Sequence, residues 1–279
     1  MGTPALQTQV RRISVNDTEL AYVELGGGDS LVFVHGGFSD YRSWESQVQF
    51  FSQKYRAISY SMRYHYPNKR GTDGTDYTIP VHTKDIVALI ELLGASPAHI
   101  IGSSYGGRIA LHLARDRPDL VRTLVLAEPG LGAWLQQRDD GPPVLADLMN
   151  NYFDPGTKAV DAGDLELGTR LFVTGVSGPG WFERLPREVL SRYKQNIRVQ
   201  AFPGSPAPFA REEAEKISVP VLLLTGESTK GLFRIVVEEL MKHLPRAERA
   251  EIPNSSHLMT VFNGDEFNRT VLSFVSRHS

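Results

Sequence analysis

Apolar runs too short for helices alternate along this chain with stretches of helical character, and a chain built that way folds as a parallel sheet covered by helices on both faces. Leu31-Val32-Phe33-Val34 runs into His35-Gly36-Gly37, and a helix is expected near Trp44 to Phe51. Arg56 to Tyr60, His99 to Ile101, Arg122 to Ala127 and Val219 to Thr225 read as further strands, with Arg249 to Ile252 a weaker last one. Helices are expected from Val81 to Leu93, Gly106 to Ala114 and Phe262 to Val275. Strands apolar at every position are buried on both sides, as in a parallel sheet. Ahead of them, QVRRISV and TELAYVEL alternate around Asn16-Asp17, the pattern of a β-hairpin with one exposed face.

Between Glu128 and Ile217 the alternation stops. Pro142-Pro143, Gly178-Pro179-Gly180 and Pro203-Gly204-Ser205-Pro206 punctuate helical patches with no strand run among them. We read residues 130–212 as a helical cap inserted into a core formed by residues 1–129 and 213–279. Its bulky residues, among them Trp134, Tyr152, Phe153, Phe172, Trp181 and Phe182, either line a pocket or form the cap's own core, with Trp134 and Trp181 expected to touch substrate.

Composition narrows the function classes. With 30 Lys+Arg against 32 Asp+Glu there is no strong field to gather a phosphate backbone or anionic lipid, so neither nucleic acid nor membrane is an expected partner. The absence of cysteine removes disulfides and thiolate metal sites. MGTPALQTQVRRISV has no apolar run of signal-peptide length, which gives a cytoplasmic expectation. A monomer or homodimer acting on a small molecule is the simplest expectation.

Ile100 to Gly107, IIGSSYGG, fits G-x-S-x-G between an apolar strand and a helix. That turn presents a serine on strained backbone, and small residues at Gly102 and Gly106 keep neighbours clear of it. Ser104 alone has glycines at both −2 and +2, which favours it over Ser103 as the nucleophile. The helix that follows offers free N–H groups to an oxyanion, the first being that of Tyr105.

A serine hydroxyl needs a base to take its proton. Of the eight histidines, His257 lies in Ile252-Pro253-Asn254-Ser255-Ser256-His257-Leu258-Met259, between the last strand and the last helix. A loop there opens at the carboxyl edge of the sheet. His112, His243 and His278 fall in or near helices, His35 suits a structural hydrogen bond, and His65 and His82 take no role.

His35-Gly36-Gly37, Gly102-x-Ser104-x-Gly106 and the late His257 together resemble the α/β-hydrolase superfamily over most of the chain. The resemblance implies a mostly parallel eight-stranded sheet with helices on both faces and an inserted helical cap. It implies Gly37 N–H as a second oxyanion donor, Phe38 and Leu258 near the substrate, and no metal or organic cofactor. Most members carry their acid in a G-x-x-D pattern after the seventh strand, but here the segment reads Gly226-Glu227-Ser228-Thr229. Threonine cannot hold imidazolium charge as a carboxylate does. Members resembling the zearalenone lactonases place the acid after the sixth strand, where this chain has Glu128. Glu128 is therefore the chosen acid, with Glu227 and no carboxylate as alternatives.

The implied activity is hydrolysis of a carboxylic ester or lactone of a small to medium apolar substrate through an acyl-enzyme on Ser104. Carbon–carbon bond hydrolysis, thioester hydrolysis, acyl transfer and ligand binding without catalysis use similar sites, and spacing does not separate them. Aspartate nucleophiles mark the dehalogenases and epoxide hydrolases of the superfamily, so Ser104 argues against both. The segment Arg63 to Pro67 replaces a small-residue loop and is expected to pack beneath the cap.

Overall fold

A computed structural model describes residues 9–69, 71, 74–202 and 207–279. The N-terminal stretch read for targeting signals up to residue 8, and the proline-glycine turn at 203–206, lie outside the described residues. Strands β1 (Arg11–Val15) and β2 (Thr18–Leu25) form the expected hairpin, turning at Asn16 with φ 46°. They are followed by β3 (Ser30–Val34), helix α1 (Glu45–Phe51), β4 (Arg56–Tyr60) and α2 (Ile79–Leu92). Then come β5 (Ala98–Ser103), α3 (Tyr105–Asp116) and β6 (Val121–Ala127).

From Ala127 to Val221 the described residues contain no strand. Helices α4 (Gly141–Leu148), α5 (Asp154–Asp161), α6 (Leu165–Ser177), α7 (Arg187–Asn196) and the short α8 (Arg211–Ala214) fill this interval. The chain closes with β7 (Val221–Gly226), α9 (Gly231–His243), β8 (Ala247–Ile252), α10 (Met259–Phe262) and α11 (Gly264–Val275). The last helix, expected from Phe262, begins at Gly264 behind the short α10, and Asn263, whose side chain accepts the Glu266 N–H, caps it.

The eight strands form one sheet in the order β1-β2-β4-β3-β5-β6-β7-β8, antiparallel as far as β4 and parallel from β4 to β8. Alternation within each buried strand divides the apolar residues between two cores. Val32, Val34, Ile100, Leu124, Leu126, Val221 and Leu223 face the side covered by α2, α3 and α9. Leu31, Phe33, Ile101, Val125, Leu222 and Leu224 face α1 and α11, where Phe51, Phe267 and Phe274 are buried. Each such residue contributes about 1.5–3 kcal/mol by leaving water, which explains strands apolar at every position.

Strand order reverses at β3, whose neighbours are β4 on one side and β5 on the other. The loops leaving β3 and β5 diverge there and open a crevice at the carboxyl edge of the sheet. Among the described residues no helix is long and apolar enough to cross a membrane.

Candidate active site

The β5–α3 turn places Ser104 at φ 53°, ψ −114°, a conformation that a residue with a side chain rarely adopts. Close packing enforces it. A Cβ on Gly106 would lie 2.4 Å from the Val34 and His35 carbonyl oxygens, and one on Gly102 would lie 2.6 Å from the Gly106 oxygen. The Ser104 N–H donates to the Ala127 carbonyl at 2.9 Å, tying the turn to the end of β6. Ser104 heads α3, and the Tyr105 N–H behind it donates to no acceptor among the described residues.

The turn after β3 supplies a second donor, the Gly37 N–H, with no acceptor among the described residues. Its direction is set by His35, which is fully buried. The Met62 N–H donates to His35 Nε2 at 3.0 Å, so the ring proton sits on Nδ1 and donates to the Gly36 carbonyl at 2.8 Å. Because the 36–37 peptide is planar and trans, holding that carbonyl aims the Gly37 N–H the opposite way. Burial lowers the His35 pKa to about 4, which keeps the ring neutral and this tautomer intact.

Glu128, the first residue past β6, also adopts positive φ, 49°, and is completely buried. The turn directs its carboxylate across the end of β7, where Oε1 accepts the Gly226 N–H at 2.9 Å and Oε2 accepts from His257 Nδ1 at 2.7 Å. With Nδ1 as the donor, Nε2 of a neutral His257 is left as the basic nitrogen. The alternative acid, Glu227, is exposed and accepts the Asn254 N–H at 2.7 Å. Thr229 is buried and its hydroxyl has no partner among the described residues.

Ser104 and His257 line one cleft together with Gly37, Phe38 and Leu258. No hydrogen bond joins Ser104 to His257 among the described residues, which is common before substrate tightens such a site. The cleft has two chambers. One, of about 50 Å³, carries Ser39, Ser43, Thr260 and His257. The other, of about 250 Å³, is apolar and lies against Leu145, Leu148, Met149, Val176 and Leu232. Ser104, Gly37 and Phe38 line both.

Two of the expected substrate contacts are corrected. Trp134 lines neither chamber; its buried indole N–H needs an acceptor and finds the Phe209 carbonyl at 2.5 Å, so the ring belongs to the main core. Trp181 packs edge-on against Phe262, with the Arg184 guanidinium 4.2 Å from its ring centroid. Phe38 is nearer the expected role, packing against both small clusters of the helical insertion.

Two residues at the cleft carry no motif. Phe233 of α9 stacks on His257 with ring centroids 3.9 Å apart and fixes the plane of the imidazole. Gln200 reaches from the insertion to donate to the Gly37 carbonyl at 2.8 Å. The inward periodicity of Leu232, Phe233, Val236, Val237 and Leu240 marks α9 as a core helix, but nothing in it singles out Phe233.

The Arg63 segment proves to be an ionic hub. The buried guanidinium meets Asp85 at 2.6 Å, Asp76 at 2.9 Å and Asp17, and these carboxylates hold it charged despite burial. The adjacent Tyr66 N–H donates to Asn196 of α7, which in turn donates to Asp40, so the segment docks the insertion onto the core. Among the described residues no group of histidines and carboxylates is arranged to hold a metal.

A sequence model of the alpha/beta hydrolase fold matches residues 29–263. The chain is 25% identical over 269 residues to a soluble epoxide hydrolase of Corynebacterium sp. (strain C12), covering 88% of this chain and 89% of that protein. It is 27% identical over 274 residues to a bifunctional esterase/perhydrolase of Acinetobacter calcoaceticus, covering 92% and 96%. Among solved structures, an enol-lactonase from Burkholderia xenovorans LB400 superposes with a TM-score of 0.75 at 22% identity, covering 95% of this chain and 100% of that one.

Proposed function

The chain belongs to the α/β-hydrolase fold family, and on that premise we propose that it hydrolyses a carboxylic ester or lactone through an acyl-enzyme on Ser104. The observation that carries this reading is a serine on a strained strand-to-helix turn sharing a cleft with His257, whose other ring nitrogen is held by the buried Glu128. The esterase relative supports it, and the epoxide hydrolase relative is read against the serine, since an epoxide-opening nucleophile in this superfamily is the aspartate that Ser104 replaces.

In the mechanism His257 Nε2 takes the Ser104 proton as Oγ attacks the carbonyl carbon. The tetrahedral oxyanion is met by the Gly37 and Tyr105 N–H groups, already oriented and desolvated, so little reorganisation is needed. Glu128 stabilises the imidazolium and fixes its tautomer. His257 then protonates the leaving oxygen, and water attacks the acyl-enzyme by the reverse proton path. No step calls on a metal or organic cofactor.

The test is labelling by a fluorophosphonate probe, followed by titration of acid released from a panel of short esters and lactones. Wild type is expected to label and turn over, while Ser104→Ala does neither. A wild type that neither labels nor turns over any member would remove the reading.

A further inference from the structure

Ser104 stands on the partition between two chambers of unequal size and chemistry, and we propose that they divide the substrate into a longer apolar acyl chain and a shorter alcohol. The inference rests on the acyl-enzyme reading above and deepens it by naming the substrate class: open-chain esters of short alcohols.

Sidedness follows from where the proton must go. The proton taken from Ser104 has to reach the leaving oxygen, so that oxygen faces His257, and the group bonded to it extends into the chamber that His257 lines. This is the small one. Its volume is about 50 Å³, a fifth of the other chamber's 250 Å³. The alkoxy half of the substrate therefore has less room than the acyl half. The acyl substituent leaves the carbonyl carbon on the opposite side, past Tyr105, into the apolar chamber of about 250 Å³.

The chemistry of the two linings agrees with that assignment. Ser39, Ser43 and Thr260 bring hydroxyls to a lining that also includes Trp44, Met259 and Phe267, which suits a short alcohol and then the water that replaces it beside His257. Leu145, Leu148, Met149 and Val176 suit a chain with no polar groups. In the acylation step the Ser104 Oγ–carbon bond forms, the carbon–alkoxy bond breaks, and the serine proton leaves on the alcohol. In deacylation one water supplies the carboxylic oxygen and returns a proton to Ser104. A small lactone holds its acyl and alkoxy halves in one ring and cannot divide itself between the chambers.

Methyl hexanoate and pentyl acetate are isomers with opposite sidedness, and ε-caprolactone joins the two halves. We expect kcat/KM for methyl hexanoate to exceed that of either by at least tenfold, and Val176→Phe to erase the advantage of methyl hexanoate over methyl acetate. The wild-type isomer comparison stands whether or not that variant folds. Preference for pentyl acetate or for the lactone overturns the inference. So does an enzyme whose Ser104 labels with fluorophosphonate but which turns over none of these compounds, and in that case the serine reading survives. Failure of Ser104 to label overturns both.

Discussion

Glu128 and His257 lie 129 residues apart in sequence and 2.7 Å apart in the folded chain, joined by a buried carboxylate–imidazole hydrogen bond. The carboxylate's second oxygen is held by the Gly226 N–H, so its orientation depends on two strands and not on a single rotamer. Glu128→Gln keeps the shape but removes the charge that stabilises the imidazolium. We expect kcat to fall by about 10³–10⁴, as when the triad acid is replaced by its amide elsewhere. Glu227→Gln, on an exposed side chain, should leave ester turnover unchanged, and steady-state kinetics of both variants checks the assignment.

Thr229 offers the opposite case, a buried hydroxyl with no partner among the described residues, at the position the family resemblance gives to the acid. Burying an unsatisfied polar group costs about 1–3 kcal/mol. Thr229→Val, which keeps the shape, is expected to raise stability by about 1 kcal/mol with activity intact. Urea unfolding and ester turnover measure the two together, and a tenfold loss of turnover would place the hydroxyl in the proton path.

Stability should fall on mild acidification. His35, His65 and His82 are buried as neighbours; burial pushes the His35 pKa to about 4, that of His82 to about 3 and that of His65 well below its usual value. The unfolded chain binds these protons as pH drops through 6.5, whereas the folded chain refuses them until far lower. Stability is therefore full above about pH 6.5 and lost as pH falls towards 4 and below. Each histidine contributes up to about 1.4 kcal/mol per pH unit. Urea midpoints at pH 7.5, 6 and 5 should fall steeply, and His82→Phe, which removes two buried nitrogens without partners among the described residues, should flatten the dependence by one proton.

Arg63 and Asp85 are both buried and hydrogen-bonded through two contacts, 2.6 and 2.9 Å. Arg63→Met strands the Asp85 carboxylate and is expected to cost about 3–5 kcal/mol. Adding Asp85→Leu should recover much of that, because the expense lies in an unpaired buried charge. Thermal melts of both single variants and the double variant give the coupling; strict additivity would contradict it.

The strands and the serine turn were legible because parallel strands buried on both faces leave an unbroken apolar signature, and because glycines at 102 and 106 are demanded by contacts below 3 Å. Glu128 was legible through the missing aspartate at Thr229, which forced attention onto the neighbouring strand end. Which side chains of the helical insertion reach the cleft was not. Trp134 and Trp181 look alike as isolated aromatics, yet one hydrogen-bonds the Phe209 carbonyl in the core and the other packs between Phe262 and Arg184. Gln200 and Phe233 act through single long-range contacts, a hydrogen bond and a stack, which leave no period or spacing in the sequence.

The residue that completes the imidazole's hydrogen bond stands two positions before the insertion begins at residue 130, and its backbone is already turned into the left-handed region. Chimaeras that exchange the insertion with a relative must therefore cross over after Glu128. A junction one residue earlier would carry the donor's side chain into the proton path, and insertions taken from proteins with an acid after β7 would arrive without a carboxylate at the hinge.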